Sequence, residues 1–233
     1  MVNDLISNLI MAVASSLLSG LLVGMFMFRL EERRALRERR REDYREALNW
    51  AKSEKKSSLR HFDLTGANLS GQKFVKADLE STCLDKSKLW DTDFSRANLR
   101  LASFRKARLV GTKFRNAVML LADFSNARIE RQEYTDIDQG YKYVPDFSGA
   151  TLSRAIFRNA QITGAVFHNA ILISADFTNA RVSNCDFTGA DLRKSNWRKV
   201  KEATNCNWTA VTIDDDSPNF PAQILQEIQR QNS

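Results

Sequence analysis

Residues 67–131 read, in consecutive fives, ANLSG (67–71), QKFVK, ADLES, TCLDK, SKLWD (87–91), TDFSR, ANLRL, ASFRK, ARLVG (107–111), TKFRN, AVMLL, ADFSN and ARIER (127–131). The third residue of every five is large and apolar, running Leu69, Phe74, Leu79, Leu84, Leu89, Phe94, Leu99, Phe104, Leu109, Phe114, Met119, Phe124 and Ile129. The series reaches back to Leu64 and forward to Tyr134. The first residue of each five is small, with Gln72 the exception in this stretch and Phe62 and Gln132 the exceptions beside it. A period of five suits neither regular element. On an α-helix each step turns about 500° and smears the apolar residues round the surface, and on a strand an odd step alternates faces. A chain that bends once per five can send both the large and the small residue inward, stacking successive coils as parallel strands about 4.8 Å apart.

The pattern breaks and resumes in a new phase at Phe147, Leu152, Phe157, Ile162, Phe167, Leu172, Phe177, Val182, Phe187, Leu192 and Trp197, with weaker units around Ala203, Trp208 and Ile213. Between the two runs, QEYTDIDQGYKYVPDF (132–147) holds Gly140, Pro145, three Tyr and a cluster of acids. An irregular insertion near 135–146 is expected to protrude there, either as a binding loop or as a neutral insertion of the kind repeat proteins tolerate.

The units GANLS (66–70), KADLE (76–80), RANLR (96–100) and GADLR (189–193) resemble the A(D/N)Lxx units of the pentapeptide-repeat family, and the resemblance covers roughly residues 60–213. It implies an all-β solenoid, a right-handed quadrilateral β-helix with four repeats per coil. On that geometry the 26 regular units make about six and a half coils at β spacing. The Phe residues at 94, 104, 114, 124, 147, 157, 167, 177 and 187, ten apart within each run, would stack on two opposite walls. An interior filled this way leaves no space for a cofactor, and none is expected.

At the other end, Leu5 to Phe28 (LISNLIMAVASSLLSGLLVGMFMF) carries no charge, enough for roughly 36 Å of helix. The run leads into RLEERRALRERRR rather than a cleavage site, so it reads as an uncleaved single-pass transmembrane anchor. Eight Arg between Arg29 and Arg45, against no Lys or Arg before the run, place the N-terminus outside and the repeats in the cytoplasm of, most simply, a bacterial inner membrane. Three Cys with no CxxC suit a reducing compartment. Ala12, Ser16, Gly20 and Gly24 form a ridge of small residues. Such a ridge lets helices approach closely, favouring a homo-oligomer, though small residues are also simply frequent in membrane helices. Asn8, Ser15 and Ser19 beside it leave open an oligomeric membrane effector or pore, with the repeats as a regulatory domain.

The expected organisation is an anchor (1–29), a charged juxtamembrane helix (30–58) with Arg near the lipid headgroups, the β-helix (59–213) and a C-terminal cap and tail (214–233). In the cap Ile224, Leu225 and Ile228 fall at helical spacing. Two His lying far apart and no nucleophile or phosphate-loop motif exclude the usual catalytic and metal constellations. The expectation is a non-enzymatic scaffold.

Gyrase binding by mimicry of duplex DNA, known in the family, depends on an acidic surface. This chain departs from it, with 23 Lys and Arg against 16 Asp and Glu over residues 60–213. A coil of 20 residues puts Lys88, Arg108 and Arg128 on one wall with Lys86 and Lys106 beside them, and a second basic group, Arg193, Lys194, Arg198, Lys199 and Lys201, lies near the end. The first set is the candidate interaction surface. It reads either as a solvated face or as a seat for an acidic protein partner. Nucleic acid is disfavoured because the aromatics are assigned to the interior.

Overall fold

A chain that must turn every five residues needs a backbone device at a fixed place in each unit, and the fifth residue supplies it. Lys76, Ser81, Lys86, Asp91, Arg96, Leu101, Lys106, Asn116, Leu121 and Asn126 all have positive φ, as do Gly71 and Gly111. The next unit's first N–H then closes the turn onto the central carbonyl, as in Ala77 N to Phe74 O at 3.0 Å. The second residue explains itself in the same way. Where it is Asp, its carboxylate accepts the N–H two residues on, as in Asp93 with Ser95 at 2.9 Å and Asp123 with Ser125 at 2.8 Å.

The computed structural model describes residues 2–53, 58–132, 143–214 and 219–233, with side chains from residue 25 onward. In chain order come α1 (Val2–Lys52), β1 (Arg108–Val110), β2 (Arg128–Glu130), β3 (Gln161–Thr163), β4 (Arg181–Ser183), β5 (Glu202–Thr204) and α2 (Ala222–Asn232). The strands form one parallel sheet in sequence order. The other three walls are held by parallel bridges of the same spacing, for example Asp63 to Cys83, Lys73 to Asp93 and Asp78 to Asn98. Four walls of five residues therefore make one coil. Across the insertion the register resumes without a slip, Lys113 pairing with Asp146 and Arg128 with Gln161. Tyr134 lies outside the described residues. Phe147 occupies the place over Phe114 that an unbroken repeat would have given residue 134, the two rings stacked at 4.8 Å.

Two aromatic ladders fill the interior. One runs Phe74, Phe94, Phe114, Phe147, Phe167, Phe187, Trp208, and the other Phe104, Phe124, Phe157, Phe177, Trp197, with near-parallel rings 4.2–5.4 Å apart. The ladders meet edge to face, as in Phe104 against Phe114 at 5.7 Å, the arrangement the ring quadrupole favours. Where Thr replaces Ala at the small position, its buried hydroxyl donates to the coil before, Thr92 to Leu69 O and Thr112 to Leu89 O. Among the described residues no buried side-chain N or O lacks a partner, as a dry interior requires. Cys185 and Cys206 take this small position in successive coils and are buried. Burial pushes the Cys185 thiol well up, which keeps it unreactive.

The chain divides into two compact units, Met1–Glu42 and Asp43–Ser233. The second begins inside α1 because the last turns of that helix cover the first coil. Ala47 and Trp50 are buried, Trp50 stacks on Phe74 at 5.8 Å, Asp43 accepts Asp63 N–H at 2.8 Å and the Tyr44 hydroxyl donates to Asn68 O at 3.0 Å. At the far end α2 buries Ile224 and Ile228. Its Gln231 accepts Trp208 N–H at 2.6 Å and donates to Cys206 O, and Asn232 accepts Ala210 N–H and donates to Trp208 O. Each cap therefore meets backbone groups that an open sheet edge would leave free to pair with another chain.

In the first unit the transmembrane anchor expected from the sequence finds no support. Among the described residues no helix is long and apolar enough to cross a membrane. The side chains of residues 1–24, including Ala12, Ser16, Gly20, Gly24, Asn8, Ser15 and Ser19, lie outside the described residues. Of the apolar run that leaves Met25, Phe26, Met27 and Phe28, all exposed.

The turn carboxylates predict an acid response. Burial would raise Asp146, but hydrogen bonds from the Ser148 hydroxyl and N–H and the Arg115 guanidinium outweigh it and hold the group below its ordinary 3.8. Asp176, with Thr178 and Arg158, and Asp186, with Thr188 and His168, are lowered against burial in the same way. A folded-state pKa below the unfolded one gives stability that is present above the unfolded value and lost as pH falls through the folded one. Thermal unfolding between about pH 6 and pH 2 is expected to give a level Tm above the ordinary carboxylate range and a falling one below 3.8. A flat profile would contradict it.

Candidate functional site

The wall that carries β1–β5 places outward residues in strict columns, because parallel pairing without slip sets each side chain over the one a coil earlier. Its first column runs Asn68, Lys88, Arg108, Arg128, Gln161, Arg181 and Glu202. Lys88, Arg108 and Arg128 are thus consecutive neighbours, all exposed. Lys86 and Lys106 stand at the adjoining corner at φ of 59°, their N–H groups bonded to Arg105 O and Ser125 O. Arg128 reaches sideways to Glu130 at 2.9 Å. Among the described residues Lys86, Lys88, Lys106 and Arg108 meet no carboxylate. The second basic group differs, Arg193 being held by Asp191 at 2.6 Å and raised in pKa by it.

Beside this column lies a second one, Ser70, Trp90, Val110 and Glu130, two residues further along each strand. Trp90 is 44% exposed, unlike the Trp and Phe rings of the two ladders. Together with Asn68, Ser70, Lys88, Leu89, Arg108, Arg131 and Gln132 these residues line a cleft of about 560 Å³. Tyr143 stands beside it, against Trp90. Gln132 and Tyr143 pair antiparallel at the base of the insertion, with Gln132 N donating to Tyr143 O at 3.0 Å. The Tyr143 ring meets Trp90 edge-on at 5.8 Å and 88°. Gly111 makes this approach possible. A Cβ there would stand 2.6 Å from Tyr143 Cβ and 2.8 Å from its Cα.

Sequence reading grouped the cations correctly in space but did not single out Trp90, Asn68, Ser70, Val110 or Gln132. The available signal was an aromatic at an outward position, the W of SKLWD, two residues past the cationic K. Among the described residues no group of three His, Cys, Asp or Glu is placed to hold a metal. What the arrangement offers is a cationic row beside an apolar shelf, a surface that can bind.

No curated protein matches the chain. Among solved structures, a trypsin-treated variant of QnrB1, a plasmid-mediated fluoroquinolone resistance protein, aligns at 19% identity over 75% of this chain and 86% of that one, with a TM-score of 0.29. A pentapeptide repeat protein of the Arabidopsis thaliana thylakoid lumen aligns at 24% identity over 60% and 70%, TM-score 0.23. Rfr23 from the cyanobacterium Cyanothece 51142 aligns at 18% identity over 69% and 89%, TM-score 0.19. The family profile described as pentapeptide repeats matches in 8 copies, over residues 56–91, 92–131, 146–179 and 170–200. With the five-residue period, the four walls and the inward Leu and Phe all agreeing with that match, the chain belongs to the pentapeptide-repeat family.

Proposed function

We propose that this protein is a non-enzymatic scaffold, held at a membrane by its N-terminal apolar run, whose solenoid presents the wall of Lys86, Lys88, Lys106, Arg108 and Arg128 to an acidic protein partner. The observation that carries the reading is the unslipped column of Lys88, Arg108 and Arg128. Like charges stacked at strand spacing repel one another, and an acidic surface would relieve that repulsion while steering the encounter. Membership of a family often engaged in protein interactions is consistent with it.

Anchoring rests on the uncharged Leu5 to Phe28 and the Arg-rich stretch after it, and the exposed Met25, Phe26, Met27 and Phe28 are apolar surface in want of a cover. Self-association through Ala12, Ser16, Gly20 and Gly24 completes the proposal. The test is affinity capture from native membranes with the full chain beside a variant carrying Lys86→Glu, Lys88→Glu, Lys106→Glu, Arg108→Glu and Arg128→Glu. An acidic protein recovered by the natural chain and lost by the variant is the expected result, and identical recoveries would refute the wall. In the same membranes Gly20→Leu with Gly24→Leu is expected to lower the crosslinked mass, and an unchanged mass would remove the ridge from the proposal.

A further inference from the structure

We infer that the cleft beside the insertion is the anchoring pocket for an extended acidic peptide, whose one bulky apolar side chain seats on Trp90 and Val110 while its flanking carboxylates meet Lys88 and Arg108. The inference rests on the reading of the basic wall and adds to it a pocket, a second kind of contact and a ligand class.

Four observations carry it. The cleft, at about 560 Å³, is of a size that encloses a large side chain with its neighbours. Trp90 is an exposed indole whose position is already set by the edge of Tyr143, so little side-chain freedom remains to be lost on binding. Tryptophan is among the residues enriched at interface hot spots. Lys88 and Arg108, on the rim of the same cleft, meet no carboxylate among the described residues, while Glu130 on this wall is already held by Arg128.

The shape of the charge selects an extended chain over a small anion. The column continues past the cleft to Arg128 and, beyond the neutral Gln161, to Arg181, further than a compact ligand reaches. In an extended peptide, residues two apart lie about 6.7 Å apart on one face, a spacing that long Lys and Arg side chains bridge readily. Single-stranded nucleic acid would need successive stacking rings. Among the described residues of this wall, Trp90 is the one exposed ring.

The test uses the full chain in mild detergent, with fluorescein-labelled peptides EDEFDED and EDESDED and an oligo(dT) strand as probes, read by anisotropy. EDEFDED is expected to bind about tenfold more tightly than EDESDED. Trp90→Ala, an exposed substitution, is expected to abolish that preference, and Lys88→Glu with Arg108→Glu to weaken both peptides by about tenfold or more. Equal binding of the two peptides, or a preference that survives Trp90→Ala, overturns the pocket. The basic wall then stands if charge reversal still weakens both. Binding of oligo(dT) in preference to the peptides also overturns the pocket. If neither peptide binds, or charge reversal changes nothing, the pocket and the wall fall together.

Discussion

Phe114→Ala is expected to lower stability by about 3–5 kcal/mol, the range for truncating a buried aromatic. Phe114 is fully buried, stacked on Phe94 at 5.4 Å and Phe147 at 4.8 Å, with the edges of Phe104 and Phe124 at 5.7 and 6.1 Å. The neighbouring rings are themselves stacked, Phe94 on Phe74, Phe147 on Phe167, and Phe104 and Phe124 on each other, and the backbone is fixed by coil-to-coil hydrogen bonds such as Phe114 N to Asp146 O. The walls cannot close on the void, so the cavity cost adds in full to the lost transfer energy. Because each coil contacts only its neighbours, the weakened step also divides the solenoid. Urea unfolding followed by far-UV circular dichroism should show a lower midpoint and a less cooperative transition. A loss under about 1 kcal/mol would mean that the ladder re-closes. Leu101→Ala, at a residue 52% exposed, should stay within about 0.5 kcal/mol.

Gly111→Val is expected to cost about 1–3 kcal/mol through backbone strain and to release the base of the insertion from the wall. Gly111 has φ +62°, where a β-branched residue is strongly disfavoured. The atoms facing its missing side chain are Tyr143 Cβ, Cα and C at 2.6–3.0 Å. Backbone atoms cannot swing aside as a side-chain end can. Tyr143 must move, and with it the edge contact to Trp90. Iodide quenching of tryptophan fluorescence should increase, since the other three tryptophans, Trp50, Trp197 and Trp208, are buried. Faster proteolysis within 133–142 should accompany it. Unaltered quenching and unaltered cleavage would show that Gly111 does not hold the segment in place.

The period of five made the inward residues and the two Phe ladders legible, because a repeat constrains every unit alike and Phe residues ten apart must fall on opposite walls of a 20-residue coil. The column Lys88, Arg108, Arg128 followed from the same arithmetic. What escaped was whatever breaks the repetition. Trp50 and Phe220 extend the ladders from outside the repeats, and no periodicity points to a residue that occurs once. The step from Arg181 to Glu202 holds one residue more than a coil, absorbed near Val200, where the pattern had already faded. Trp90 went unmarked because a repeat constrains inward positions and leaves outward ones free, and binding is written in the outward ones. The caps were partly visible. Ile224 and Ile228 sit at helical spacing, but the use of Gln231 and Asn232 as backbone partners depends on where the last coil stops.

The unslipped register on either side of the insertion has a consequence for closure entropy. Ordinary neighbours along a wall, such as Arg108 and Arg128, are 20 residues apart, while Arg128 and Gln161 are 33 apart. Because the entropic cost of joining two points grows only with the logarithm of the chain between them, the longer tether adds about 0.4 kcal/mol. That is small beside the contribution of a single stacked ring. The solenoid can therefore zip past residue 132 almost as if nothing had been spliced in, and the length and composition of the splice are left nearly free of the demands of folding. Selection acting on that segment is free to answer to whatever meets the wall beside it.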